Sequence, residues 1–147
     1  MHLILCASPG YLTKRGMPSQ IEELDEHDHV LFTPVSRNQT WTLVGPSRPD
    51  GTNGDQTYEF GRPARLASNN YGAVVDVARA GSGIALISEF MVTDEITSGA
   101  LVRVLPGWQT RPTDVHAVYP ARQNVPPRLT LFLDHLAKSL NPPPWAR

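Results

Sequence analysis

The sequence predicts an α/β fold, and three observations carry that expectation. Apolar runs of strand length recur from the first residues onward, starting with Leu3-Ile4-Leu5-Cys6-Ala7. The stretch from Arg65 to Ser88 reads as strand, amphipathic helix and buried strand in succession, a βαβ-type crossover. Near the end, Leu129, Phe132, Leu133, Leu136 and Leu140 fall on one helical face.

Taken in order, Leu3 to Ala7 predicts a buried strand. Ser8-Pro9 follows as a helix start, with Ser8 as the cap, proline at the first helical position and Gly16 closing the short helix. Ser19-Gln20-Ile21-Glu22 has the form of a capping box ahead of a second short helix that carries Ile21 and Leu24. Val30-Leu31-Phe32-Thr33, Trp41-Thr42-Leu43-Val44 and Tyr58-Glu59-Phe60 predict strands. The last two are joined by a hairpin-like connection from Gly45 to Gln56, rich in turn formers such as Pro46, Pro49, Asp50-Gly51 and Asn53-Gly54.

The central crossover comes next. Leu66 and Ala67 end a strand, and Ser68, Asn69 or Asn70 can cap the helix because a short side-chain oxygen accepts a free N–H of its first turn. Tyr71, Val74, Val75 and Ala78 recur at helical spacing, Gly81 suits a left-handed helix end, and Ile84 to Ile87 is apolar enough for a strand buried on both faces. Ser88 is expected to cap a further short helix ending near Gly99. Leu101 to Leu105 and Val115 to Tyr119 predict two more strands. The closing helix is entered through Pro126-Pro127 and stopped by Pro142-Pro143-Pro144.

Composition narrows the function classes. A chain of 147 residues with 40% hydrophobic and 18% charged residues can fill one ordinary core. A formal net charge of −1 provides no basic footprint for nucleic acid. The single cysteine, Cys6, excludes an internal disulfide and sits in an apolar strand, as a small core residue does. The N-terminus lacks the basic start and apolar run of a secretory leader, and no stretch reaches membrane-spanning length, so a cytoplasmic protein is expected.

Several pieces, in this order, resemble the effector-binding region of LysR-type transcriptional regulators. They are Ala7-Ser8-Pro9-Gly10-Tyr11-Leu12, Gly16-Met17-Pro18, Leu24 with His27, Trp41, Asn69-Asn70 and Ala78-Arg79-Ala80-Gly81-Ser82-Gly83-Ile84-Ala85-Leu86. Ser98-Gly99-Ala100-Leu101-Val102-Arg103-Val104-Leu105, Val118-Tyr119-Pro120 and Leu131-Phe132-Leu133-Asp134-His135-Leu136 complete the set. Ser88 stands where the family usually has proline after the buried strand.

The resemblance implies a Rossmann-like subdomain of the type II periplasmic-binding-protein kind, with a mixed, mostly parallel sheet, a return strand and a C-terminal helix. It implies a partial effector-binding domain over 1–147: residues 8–114 as the second subdomain, 2–7 and 115–120 as crossing strands, and 121–147 as the closing helix and tail of the first. The winged helix-turn-helix and most of the first subdomain are then outside the chain. The function so implied is non-catalytic sensing of a small, anionic effector, read out through dimer geometry. The partner is a second copy or a higher oligomer, with no direct contact to nucleic acid, no membrane and no cofactor. A truncated regulator acting as a dimerisation module is the alternative, and a small hydrolase a third.

Five residues are candidates for effector contact. Ser68, Asn69 and Asn70 stand at the start of the central helix, where free N–H groups and the helix dipole favour an anion, although capping alone explains these residue types. Ser8 follows the first crossing strand and His116 lies on the return strand. Each also has a structural reading, as an N-cap and as a half-buried histidine.

Other motifs fail as sites. His27-Asp28-His29 puts two histidines on one strand face with no third ligand in view. Gly81-Ser82-Gly83 lacks both the Lys-Ser/Thr of a phosphate loop and the full G-x-S-x-G of a nucleophile elbow. Asp134 and His135 diverge on a helix. No catalytic constellation and no metal site emerge.

Overall fold

Every residue of Leu3–Ala7 is buried, and this strand, β1, has a neighbour on each side. The computed structural model describes residues 2–35, 40–47, 55–114, 116–119 and 126–141. The chain divides into one compact unit of residues 2–112 and another of residues 113–147 with residue 1.

In the larger unit β1 runs into α1, Pro9–Arg15. Tyr11 N–H donates to Ser8 Oγ at 3.2 Å, Pro9 occupies the first turn, and Gly16, at φ 89°, closes the helix. A 3₁₀ helix, Ile21–Glu26, follows. Its cap is Gln20, so Ser19 stands one residue outside the expected box. Its backbone N–H and its hydroxyl donate instead to Glu23, at 2.7 and 2.9 Å. Those bonds hold the Glu23 carboxyl below the ordinary carboxylate range.

β2 is His29–Phe32, with Thr33 already in a 3₁₀ turn. β3 is Trp41–Ser47 and β4 is Asp55–Phe60, an antiparallel hairpin whose strands extend into the expected connection; 48–54 lie outside the described residues. β5 (Leu66–Ser68), α2 (Tyr71–Arg79) and β6 (Ile84–Ser88) form the predicted crossover. After β6 come a 3₁₀ turn, Glu89–Met91, with no side-chain bond from Ser88, then α3, Thr93–Thr97, and β7, Val102–Gln109.

The sheet has seven strands in the order β4-β3-β7-β1-β6-β2-β5. It is mixed, but not mostly parallel as expected. Among the described residues only β2 with β5 and β2 with β6 are parallel. β1 with β6, β1 with β7, β3 with β4 and β3 with β7 are antiparallel. The crossover imposes parallel strands only where its helix carries the chain back along the sheet. β2 enters between the two crossover strands, so β5 and β6 are parallel without being neighbours.

Alternation along β1 and β6 builds a core on each face. Leu3, Leu5, Ala7, Ile84 and Leu86 pack with Tyr11, Leu12, Ile21, Leu24, Trp41 and Phe60. Ile4, Cys6, Ala85 and Ile87 pack with Val74, Val75 and Ala78 of α2 and with Val92 and Leu101. Burying each large side chain contributes roughly 1.5–3 kcal/mol.

β7 changes partner along its length. Val104 pairs with Leu5 but Gln109 with Ile4, so 105–108 bulge outward, with Leu105 in the left-handed region at φ 47°. The bulge brings Trp108 flat against Gly45, where a Cβ would lie 2.6 Å from the ring. Glycine at that position is what lets β7 meet the β3–β4 hairpin.

In the smaller unit, His116–Tyr119 form no strand, and Val115 lies outside the described residues. The return strand expected over 115–119 is therefore not formed by its described part. Apolar alternation there finds no ladder partner among the described residues, and Val118 is 94% exposed. α4, Pro127–Ser139, follows the sequence reading, with Pro127 in its first turn. Leu129, Leu133, Leu136 and Leu140 are half-buried, while Leu131 and Phe132 are exposed by 70% and 57%.

Candidate functional site

Parallel strands β2, β5 and β6 end at one edge of the sheet, where Thr33, Ser68 to Asn70, and Ser88 with Glu89 follow them in sequence. Phe32 pairs with Ser68 across β2 and β5. Leu3 of β1 pairs with Ser88, and Glu89 N–H donates to the His2 carbonyl at 3.2 Å, which brings the start of β1 to the same edge. Open α/β sheets bind ligands outside the carboxyl ends of their parallel strands.

Local chemistry explains two of the three residues at the α2 start. Asn70 N–H donates to Ser68 Oγ at 3.0 Å, and Ala73 N–H donates to Asn70 Oδ1 at 3.1 Å. Ser68 therefore shapes the turn and Asn70 is the cap. Asn69 is exposed and its side chain makes no hydrogen bond among the described residues, so its amide is available to a ligand. The first turn of α2 carries no acidic residue to oppose an anion, and the nearby Glu89 carboxylate is held by Arg103 at 3.0 Å. Tyr71 stands edge-on to Phe32 with ring centroids 5.8 Å apart. Its hydroxyl is buried without a hydrogen-bond partner among the described residues, and burial pushes its pKa up.

Ser8 does not join this group. β1 is antiparallel to β6, with Leu3 opposite Ser88 and Cys6 opposite Ala85. Ser8 therefore stands at the opposite end of the sheet, about 16 Å away along a five-residue strand. It is buried there as the cap of α1. His116 is exposed and belongs to the unit of residues 113–147.

The remaining motifs take structural roles. Asp28 N–H donates to the Tyr11 hydroxyl at 2.8 Å, and that hydroxyl meets His27 Nδ1 at 3.1 Å. Burial and then Arg15 lower the His27 pKa. His29 Nε2–H donates to the Arg62 carbonyl at 2.7 Å, so the two histidines serve different partners. The network linking Tyr11 to His27 and Asp28 spans sixteen to seventeen positions and has no local sequence signal. Cys6 is buried, and its thiol is pushed up to about 12 by burial and by Glu95. Gly81 and Gly83 carry φ values of 84° and 153° at the turn from α2 to β6. His135 Nε2 lies 3.5 Å from Ser139 Oγ on α4. Among the described residues no group of three metal-ligating side chains converges.

Residues 1–141 match the family model described as the LysR substrate binding domain. The chain belongs to that family. As a LysR substrate-binding domain it is 32% identical over 144 residues to the HTH-type transcriptional regulator PtxR of Pseudomonas aeruginosa, covering 97% of this chain and 43% of that protein. It is similar in structure to the regulatory domain of AphB in Vibrio vulnificus, with a TM-score of 0.73 and 28% identity, covering 94% of this chain and 64% of that one. The regulatory domain of CrgA, a LysR-type transcriptional regulator from Neisseria meningitidis, matches with a TM-score of 0.66 and 26% identity over 95% of this chain and 64% of that one. The domain thus spans less than half the length of PtxR. These similar proteins are transcriptional regulators rather than enzymes. No described helix is long and apolar enough to cross a membrane.

Proposed function

We propose that this LysR effector-binding domain senses a small anionic molecule at the edge formed by Ser68, Asn69 and Asn70. The observation that carries the reading is the free Asn69 amide beside an α2 N-terminus whose first turn carries no acidic residue, at the carboxyl ends of the parallel strands. In this reading residues 8–114 are the second subdomain, 2–7 and 115–120 cross to the first, and 121–147 close it; the division of the chain at residue 113 supports the boundary. Effector bound at this edge would set the angle between subdomains, and paired copies would pass that angle to DNA-binding domains outside the chain. The net charge of −1 fits a domain that does not itself touch DNA.

A panel of aliphatic and aromatic carboxylates, titrated into the chain by calorimetry, tests the site. Asn69→Ala removes no bond of the fold, so its unfolding midpoint stays put while affinity for the best carboxylate drops about tenfold. Asn70→Asp keeps the cap and adds a charge that repels an anion, so it lowers affinity at least as much without loss of stability. Unchanged affinity in both variants removes the site.

Exposed Leu131 and Phe132 on α4 favour a second reading, an interaction module that pairs through this helix. Light scattering over a dilution series is expected to show a dimer, and one that Phe132→Glu dissociates. A monomer at all concentrations rejects the module.

A further inference from the structure

At the end of the sheet opposite the effector edge, α1, the end of α2 and the turn after α3 border a solvent-open cavity of about 260 Å³. Lys14 and Arg79 line it, with Ser8, Gly81 and Gly99, and no carboxylate does. Lys14 makes no ion pair among the described residues, and Arg79 reaches only Asp76, at 4.0 Å. Cations near helix C-termini ordinarily serve the last free carbonyls. Here the chain itself provides those bonds. Gly81 N–H donates to the Ala78 carbonyl at 3.1 Å and Ser82 N–H to that of Val77 at 3.2 Å. After α3, Gly99 N–H donates to Ile96 at 3.1 Å and Leu101 N–H to Glu95 at 3.0 Å.

Two further features make the cavity receptive. Gly81 and Gly99 both hold positive φ, at 84° and 76°, and bare backbone at these turns lets a ligand approach closely. Ser8 is 5% exposed; its Oγ accepts from Tyr11 N–H, which leaves its O–H proton to donate. The position a Cβ would take on Gly81 lies 3.5 Å from Ser8 Oγ, so the hydroxyl borders the bare glycine.

We infer that this cavity is an anion site, separate from the effector edge, that takes a phosphate-bearing small molecule between Lys14 and Arg79. Two exposed cations, of which only Arg79 has an acid nearby (Asp76, at 4.0 Å), and a hydroxyl donor match a multiply charged oxyanion, and charge-assisted bonds to both would hold it. The volume holds several waters' worth of ligand, room for a phosphate or diphosphate group, with the rest of the molecule free to extend through the open mouth.

The probe is inorganic pyrophosphate, titrated into the full chain while backbone amide shifts are followed. The largest shifts are expected at Gly81 and Gly99. Lys14→Ala/Arg79→Ala lowers affinity at least about tenfold with an unchanged unfolding midpoint, since both side chains are exposed. Asn69→Ala binds pyrophosphate as the parent does, which separates this site from the effector edge. Equal affinity in the double variant, or shifts centred on Asn69 and Asn70, overturns the inference.

Discussion

Gly83→Ala is expected to destabilise the domain by about 3 kcal/mol, through overpacking and backbone strain together. Gly83 joins the end of α2 to β6, and Ile84 N–H donates to the Asp28 carbonyl at 2.9 Å, which starts the β2–β6 pairing. A Cβ on Gly83 would lie 2.5 Å from the Asp28 oxygen and 2.7 Å from its carbonyl carbon. Those atoms are backbone, so relief requires pulling β6 from β2, and the φ of 153° adds strain for any L side chain. Gly10→Ala is the control. It lies inside α1 with nothing within 4 Å of the added methyl, and helix propensity predicts a gain of about 0.5–1 kcal/mol. Denaturant midpoints measure both, and a Gly83→Ala midpoint equal to the parent's would show that the β2–β6 junction is plastic.

Trp41→Ala is expected to cost about 3–5 kcal/mol, a large part of the 5–15 kcal/mol typical of a domain this size. Trp41 is fully enclosed, opposite Phe60 in the β3–β4 ladder, with ring centroids 5.1 Å from Phe60 and 5.4 Å from His29. His29 in turn is anchored through the Arg62 carbonyl, so the indole joins the hairpin to β2. Hydrogen exchange should show β3 and β4 losing protection before β1 and β6. Trp41→Phe refills much of the space and should cost clearly less. A loss below about 1 kcal/mol for the alanine variant would mean the hairpin adds little to the fold.

The candidate site illustrates how reading a chain and seeing its fold divide the work. Ser8 as the cap of α1, and a cap of α2 among Ser68, Asn69 and Asn70, follow from short polar side chains set just before an apolar helical pattern; the fold selects Asn70. That signal is local, and it holds wherever the helix sits. Whether the two caps share a site depends on the direction of β1 relative to β6, which no residue near either cap specifies. The antiparallel pairing sets them at opposite ends, removes Ser8 from the effector edge and places it in the Lys14–Arg79 cavity.

The sequence by itself determined β1, α1, the β5–α2–β6 crossover and α4, because period, caps and glycine-closed ends act over a few residues. Only the tertiary structure decided that β2 lies between β5 and β6, and that the sheet is largely antiparallel. It also decided that 105–108 bulge to reach the hairpin. Strand pairing joins residues such as Phe32 and Ser68, or Leu5 and Val104, that are dozens of positions apart. Backbone hydrogen bonds are the same for any partner, so order and direction are chosen by which faces pack together. The stretch at 115–119 marks the same limit from the other side: its alternation is strand-like, but the described residues offer it no ladder, and without one the pattern does not make a strand.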